Sequence, residues 1–428
     1  MKASPLHHQL PALARHADVL SRHGATLEAS VPGFGKTFVA GFLATYLKRK
    51  VGVLCPKSVV PHWRRALEDC GADVLFITNY EQAKLDKFQH GGWLIRGRKY
   101  AWNVPEDTLL IFDECHRCAD RTTQNAKMMT AARSASSHGG VKVMAMSATA
   151  AKDPLDLYAL GFLLGLHQGA DFLGWCCNHG VRRGTFAWEF RGGRAALDKL
   201  HHDIFPAHGY RASYSDLPDF PASTVEALAV EVASPSEVDA LFESVRVLEE
   251  LEGMATEAVV ARLRARQKTE LLKVPAMLEL IKDHVREGQS VCVFVNFLDT
   301  IDALMNKLKG ASCVVGGQNA EMRQLEIDLF QADDRRVIVC QSQAGGVGIS
   351  LHDVRGEFPR VSLISPPESA RSLIQILGRI HRTGAKTPAI QKIVFADGTV
   401  ETRVRRTVER NAKQIDTLND GDLDPSLP

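Results

Sequence analysis

Leu27-Glu28-Ala29-Ser30-Val31-Pro32-Gly33-Phe34-Gly35-Lys36-Thr37 is the stretch that decides the fold. Residues 27–29 read as a buried strand, and 38–48 as a helical run that the intervening loop opens. A glycine-rich turn between strand and helix lets backbone N–H groups close around phosphate oxygens. Lys36 then reaches the β- and γ-phosphates, the Thr37 hydroxyl binds magnesium, and the helix N-terminus adds a favourable dipole. Ser30 stands where the strict pattern has glycine. A ligand-free turn is the bland alternative, and Gly35-Lys36-Thr37 after a strand argues against it.

A phosphate site of this kind needs an acidic residue at the end of another strand. Leu109-Leu110-Ile111-Phe112-Asp113-Glu114-Cys115-His116 supplies two neighbouring carboxylates there. Asp113 is suited to hold magnesium through its water shell, and Glu114 to orient and polarise an attacking water, because phosphoryl transfer rests on positioning and charge stabilisation. Further compact apolar runs at 51–55, 74–78 and 141–147 complete a first block of strands. A second block repeats the texture at 291–296, 313–315, 337–341, 361–365 and 390–396. Strands apolar on both faces and separated by helices predict parallel sheets covered on both sides. The expected fold class is therefore α/β, with two lobes, 1–222 and 223–428, each a mainly parallel sheet flanked by helices. Residues 165–215 are expected to elaborate the first lobe. A strand-like run at 225–232, a long helical segment at 236–272 and a basic C-terminal helix are expected in the second.

Length and composition agree with two or more domains. The 428 residues carry 52 Lys+Arg against 50 Asp+Glu, and 45% are hydrophobic, which excludes a disordered chain, a collagen-like fibre and a small disulfide scaffold. No apolar run approaches the ~20 residues that cross a bilayer, and nine cysteines over this length fit a reducing compartment. A cytoplasmic protein with no membrane partner is the expectation.

At Asp113-Glu114-Cys115-His116, a DECH box, the chain resembles superfamily 2 helicase-type ATPases, and within them the Swi/Snf-like branch of DNA translocases. The resemblance runs from Leu6 to about Asn411 with its motifs in order. It includes the segment from Val53 through Pro56-Lys57-Ser58 to Trp63, the run Ile77 to Glu81, Ser147-Ala148-Thr149, Pro154 to Tyr158 and Val293 to Phe297. It continues through Ala344 to Leu351, Gln375-Ile376-Leu377-Gly378-Arg379-Ile380-His381-Arg382, and Gly398-Thr399-Val400-Glu401.

The resemblance implies two RecA-like lobes and ATP with Mg2+ as cofactors. Gln9 would read the adenine edge, although His7 and His8 replace its usual Arg or Tyr neighbours. Pro32, Gly33, Phe34, Gly35, Lys36 and Thr37 would surround the phosphates, with Gly348 also near the nucleotide and Thr37 and Asp113 on the metal. Lys36, Glu114, Gln375, Arg379 and Arg382 would carry catalysis, and Ser147 and Thr149 would couple it to lobe movement. Arg379 and Arg382, read as three apart on a helix, would face a cleft between the lobes and make hydrolysis conditional on closure. Nucleic acid would touch Lys57, Asn79, Asn296, Gly345 and Gly346.

Two aromatic and basic stretches lie outside those motifs. Trp93 to Trp102 reads as a core edge with solvated cations, while Arg182 to Arg191 reads equally as a core edge or as a hairpin wedge at a DNA junction. Arg403, Arg406, Arg410 and Lys413 would share one helix face, more commonly solvated than bound to phosphate. Cys115 and Cys118 spell CxxC without a second ligand pair for zinc, so packing is the better reading, as for Cys176-Cys177, while the pairs His7-His8 and His201-His202 lack a partner at ligand spacing and read as ordinary. The leading expectation is a monomeric ATP-dependent translocase on duplex or branched DNA, with any recruiting protein unspecified. A strand-separating DNA or RNA helicase is the alternative, and a nucleotide-gated clamp without turnover the third.

Overall fold

Both blocks of apolar runs become six-stranded parallel sheets. The computed structural model describes residues 3–401, apart from 86, 87, 89–91, 97–99, 139, 186, 218, 219, 252–254, 343–348, 368, 398 and 400. The chain divides at residues 218/219 into two units.

The first unit opens with α1 (Leu10–His23), β1 (Ala25–Glu28), α2 (Lys36–Tyr46), β2 (Lys50–Cys55), α3 (Val60–Cys70), β3 (Val74–Asn79) and α4 (Tyr80–Lys84). A small antiparallel pair follows, β4 (Leu94–Arg96) with β5 (Tyr100–Trp102), then β6 (Thr108–Asp113), α5 (Gln124–His138), β7 (Lys142–Met146) and α6 (Tyr158–Leu164). The elaboration comprises α7 (Phe172–Asn178), the antiparallel pair β8 (Val181–Arg183) and β9 (Trp188–Phe190), and α8 (Gly193–Ile204), before β10 (Gly209–Tyr210). Strand order is β10-β1-β7-β6-β2-β3. Thus β1, β7 and β6 are neighbours, and their carboxyl ends carry the phosphate loop, Ser147 and Asp113-Glu114.

The aromatics of the first basic stretch go inward. Trp93 and Trp102 stack on Phe76, and the Trp102 indole donates to the Met128 carbonyl at 2.9 Å. Arg182 to Arg191 does form a hairpin, whose Trp188 and Phe190 pack on Phe172, Cys176 and Val181. The Arg182 guanidinium is spent on the carbonyls of Cys177 and Val181.

The second unit begins with β11 (Ser223–Val230), which is a full member of its sheet and pairs with β16 (Ala389–Ala396) over eight residues. The expected single helical run 236–272 is corrected to two helices packed on each other, α9 (Pro235–Glu250) and α10 (Ala255–Leu272). The break falls where Leu251 turns extended, two residues before Gly253, a residue that costs a helix interior about 1 kcal/mol. Then come α11 (Val274–Arg286), β12 (Ser290–Val295), α12 (Leu298–Met305), β13 (Ser312–Val314), α13 (Ala320–Gln331), β14 (Val337–Gln341), β15 (Arg360–Ile364) and α14 (Ala370–Leu377), giving the order β11-β16-β15-β12-β14-β13. Along β12, Val291, Val293 and Val295 face Met277 and Ile281, whereas Cys292 and Phe294 face Leu373 and Ile376. Successive side chains point to opposite faces, so a strand covered on both sides must be apolar throughout. No described helix is long and apolar enough to cross a membrane.

Several charged side chains lie inside this unit, and Lys273 is the most deeply buried of them. Lys273, fully buried where α10 meets α11, donates from Nζ to both carboxylate oxygens of Glu401 at 2.9 and 3.0 Å, and to Ser365 Oγ and the Val394 carbonyl at 3.1 Å each. Glu401 also accepts the Ala396 amide at 2.7 Å. Residues 128 positions apart in the chain are thereby joined. Removing one member strands a charge in a low-dielectric interior, so Lys273→Met is expected to cost about 3–5 kcal/mol. Urea melts of the wild type and variant check this.

Candidate active site

The phosphate loop is anchored from below by a buried acid. Glu28, the last residue of β1, is fully buried with His16 of α1, their Oε2 and Nε2 2.7 Å apart. The other His16 ring nitrogen lies 2.9 Å from Thr26 Oγ1, and the second Glu28 oxygen accepts the Ser30 amide at 2.8 Å. Burial raises the Glu28 carboxyl, but the hydrogen bond and field of His16, with Ser30 and Lys36, outweigh it and hold the group below its usual range. Ser30, the departure from the glycine pattern, is buried and its hydroxyl accepts the Ala212 amide, so here a side chain braces the loop.

Above this anchor the loop is closed in on itself. Phe34 is fully buried, and its carbonyl accepts Gln9 Nε2 at 3.3 Å, with a His8 ring nitrogen 3.2 Å away. Gly35 has φ 90°, a backbone conformation that demands glycine, and a Cβ there would lie 2.4 Å from Gln9 Nε2, which would have to shift. Gly33 is also left-handed, and Pro32 and Thr37 are half-buried. Helix α2 has no side-chain cap at Gly35, which leaves first-turn amides for an anion. Lys36 Nζ donates to the carbonyls of Ser30 at 2.6 Å and Val31 at 3.0 Å. Burial pushes the Lys36 ammonium down to about 8, against the pull of Glu28, Glu114 and Asp113.

The two carboxylates at the end of β6 are held differently. Asp113 Oδ2 accepts the Trp63 indole at 2.7 Å, its Oδ1 accepts the Glu114 amide at 2.9 Å, and its carbonyl accepts the Tyr80 hydroxyl at 2.7 Å. Burial and the neighbouring Glu114 charge push the Asp113 carboxyl up. Glu114 adopts φ 51° and ψ 50°, a left-handed conformation that costs a side-chain-bearing residue about 1–3 kcal/mol. The turn aims its carboxylate at Ser147 Oγ, 3.4 Å away, and at His116 Nδ1, 3.2 Å away. His116 Nδ1 also lies 3.0 Å from Ser147 Oγ, and Ser147 Oγ accepts the Thr149 amide at 3.1 Å. Lys36, Asp113, Glu114 and Ser147 thus converge at one sheet edge, as expected from their strand ends.

These residues fit both implied cofactors. A lysine and uncapped amides suit the phosphates, and hard oxygen donors from Thr37 and Asp113 suit magnesium. The crowding that lifts the Asp113 carboxyl is what a cation would relieve. No group of three metal-ligating His, Cys, Asp or Glu side chains stands together among the described residues.

In the second unit the expected positions of two arginines are corrected. Arg379 and Arg382 lie beyond α14, which ends at Leu377, because Gly378 caps it and the chain leaves helical geometry. The Arg379 guanidinium is buried, donating to the carbonyls of Gln375 at 2.7 Å and Ile349 at 3.1 Å. Arg382 donates to the Gly378 carbonyl at 2.8 Å and Ser350 Oγ at 2.7 Å. Two expected nucleic-acid contacts have their side-chain amides committed. Asn79 caps α4, accepting from the Gln82 amide and donating to the Gln82 side chain, while Asn296 donates from N and Nδ2 to the buried Glu270 carboxylate. Lys57 is exposed at the end of β2. Gly345, Gly346, Gly348 and the basic stretch 403–413 lie outside the described residues.

Comparison with known proteins agrees with this geometry. Residues 272–384 match the helicase conserved C-terminal domain. The putative ATP-dependent RNA helicase L364 of Acanthamoeba polyphaga mimivirus is 30% identical over 447 residues, spanning 95% of this chain and 82% of that protein. This chain belongs to the superfamily 2 helicases. It is an ATP-dependent helicase-type ATPase, which sets aside the clamp without turnover. A 158-residue part is 28% identical to the ATP-dependent helicase rhp16 of Schizosaccharomyces pombe, covering 35% of this chain and 18% of that protein. Among solved structures, S. cerevisiae Dbp5 bound to RNA and ADP BeF3 superposes with a TM-score of 0.54 at 11% identity, covering 94% of this chain and 87% of Dbp5. That likeness establishes two RecA-like α/β domains.

Sequence reasoning did not find His16, Glu28 or the partners of Asp113 in this helicase. The available signal was a lone acid ending an apolar strand one residue before the loop. Because the folded Glu28 carboxyl lies below the ordinary 4.5, its stabilisation is present above that pH and is lost as pH falls through the folded value. The stability difference between wild type and Glu28→Gln is therefore expected to be constant at neutral pH and to shrink below about 4.5, read from denaturant melts across pH.

Proposed function

We propose that this helicase separates strands, using single-stranded nucleic acid as its track, with RNA the first candidate. The relationship to the mimivirus protein, named a putative ATP-dependent RNA helicase and alike over 95% of this chain, carries the proposal.

Chemically, Lys36 draws the β- and γ-phosphates into the uncapped start of α2, and Gln9, tied to the loop through Phe34, reports on the base. Thr37 and Asp113 would hold magnesium, which when bound neutralises phosphate charge. Glu114 orients the attacking water, and Ser147, within reach of Glu114 and bonded to the Thr149 amide, transmits the change in charge. By the resemblance, Arg379 and Arg382 would supply positive charge to the transition state, a contribution of about 10³–10⁵ in rate where an arginine finger acts.

A second reading, translocation along duplex DNA, has its own support. Trp63 and Glu401, two marks of the resemblance to the Swi/Snf-like branch, are built into the interior through Asp113 and Lys273. Strand displacement on tailed RNA and DNA duplexes, run beside displacement of a third strand from blunt duplex DNA, separates the two. Activity on tailed duplexes is expected. Third-strand displacement alone would replace the first reading with the second.

Lys36→Ala is expected to abolish hydrolysis. Glu114→Gln should bind ATP yet fail to turn it over, and Arg382→Ala should lose about 10³-fold or more in kcat with a smaller change in nucleotide affinity. Steady-state hydrolysis together with nucleotide titration checks all three, and full activity in each would remove the site assignment.

A further inference from the structure

Trp63 is the largest fully buried side chain among the described residues, and its one polar atom is spent on an oxygen of Asp113. A buried indole N–H needs an acceptor, and many positions in a core would have supplied a backbone carbonyl. Here the acceptor is the carboxylate that the preceding reading places on magnesium. With Oδ2 bonded to the indole at 2.7 Å and Oδ1 to the Glu114 amide at 2.9 Å, the carboxylate plane is fixed from both sides. Tyr80 grips the same residue elsewhere, at its backbone carbonyl.

We propose that Trp63 is a positioning residue for the metal site, its indole N–H orienting the Asp113 carboxylate so that a free lone pair meets magnesium. Outer-shell partners that orient a ligand change metal affinity by about 10–100-fold when removed. The chemistry explains the residue type. A neutral donor fixes the oxygen without adding a second cation beside Lys36, and the rigid ring of α3 sets its direction. The inference rests on the assignment of Asp113 to magnesium.

The test compares affinity for a fluorescent ADP analogue in excess Mg2+ and in EDTA. The ratio of the two affinities measures metal coupling apart from hydrolysis. In the unaltered chain, Mg2+ is expected to tighten binding. Trp63→Phe keeps an aromatic ring but removes the N–H, and is expected to lower the ratio about 10-fold or more while leaving affinity in EDTA near wild type. Tyr80→Phe removes the bond to the Asp113 backbone, and should lower thermal stability with the ratio unchanged.

A Trp63→Phe ratio equal to wild type would overturn the inference. So would an equal loss in EDTA and Mg2+, which marks a packing role only. A Tyr80→Phe ratio that fell as far as that of Trp63→Phe would overturn it too, since any loosening of Asp113 would then suffice. If the unaltered chain shows no effect of Mg2+, the metal assignment itself fails and the inference with it.

Discussion

A parallel strand buried on both faces can show polar chemistry only at its ends. In this chain, β1, β7 and β6 lie side by side, so the phosphate loop, Ser147 and Asp113-Glu114 must meet at one edge. The apolar interior also dictates how each polar group is held. Glu28 and His16 satisfy each other beneath the loop, Trp63 and Tyr80 take up Asp113, and Ser147 gathers His116 and the Thr149 amide. Every one of these bonds would be weak in water and is valuable where water is excluded.

The strain at Glu114 belongs to the same design. A left-handed glutamate is unfavourable by itself, yet in this conformation its carboxylate lies within 3.4 Å of the Ser147 hydroxyl. Two adjacent acids thereby take separate roles, one bonded down and one aimed at a hydroxyl. In the second unit, the equivalent internal charge is used for construction. Lys273 joins the start of α11 to β15, β16 and Glu401, so a residue far along the chain closes the unit.

The central strands were legible in the sequence because burial on both faces forbids polar interruption, and 51–55, 109–113 and 337–341 carry none before their ends. The loop was legible because its lysine, hydroxyl and glycines have one shared purpose. Two-residue β10 was not, since so short an edge carries no pattern, whereas β11 was legible as a strand-like run whose burial alternates as an edge strand's does. The helical reading of Arg379 and Arg382 ran through Gly378, where the helix stops. Asn79 and Asn296 looked free because nothing in a sequence shows that Gln82 and Glu270 take their amides. His16 and Glu28 lie twelve residues apart with no local spacing that links them, so only the packing of α1 on β1 reveals the pair.

The account stands most directly on steady-state ATP hydrolysis, measured at fixed salt with no nucleic acid, single-stranded RNA, single-stranded DNA and duplex DNA. A low basal rate that single strands raise severalfold, RNA included, is the expected result. A rate that no nucleic acid changes, or one raised by duplex DNA alone, would contradict it.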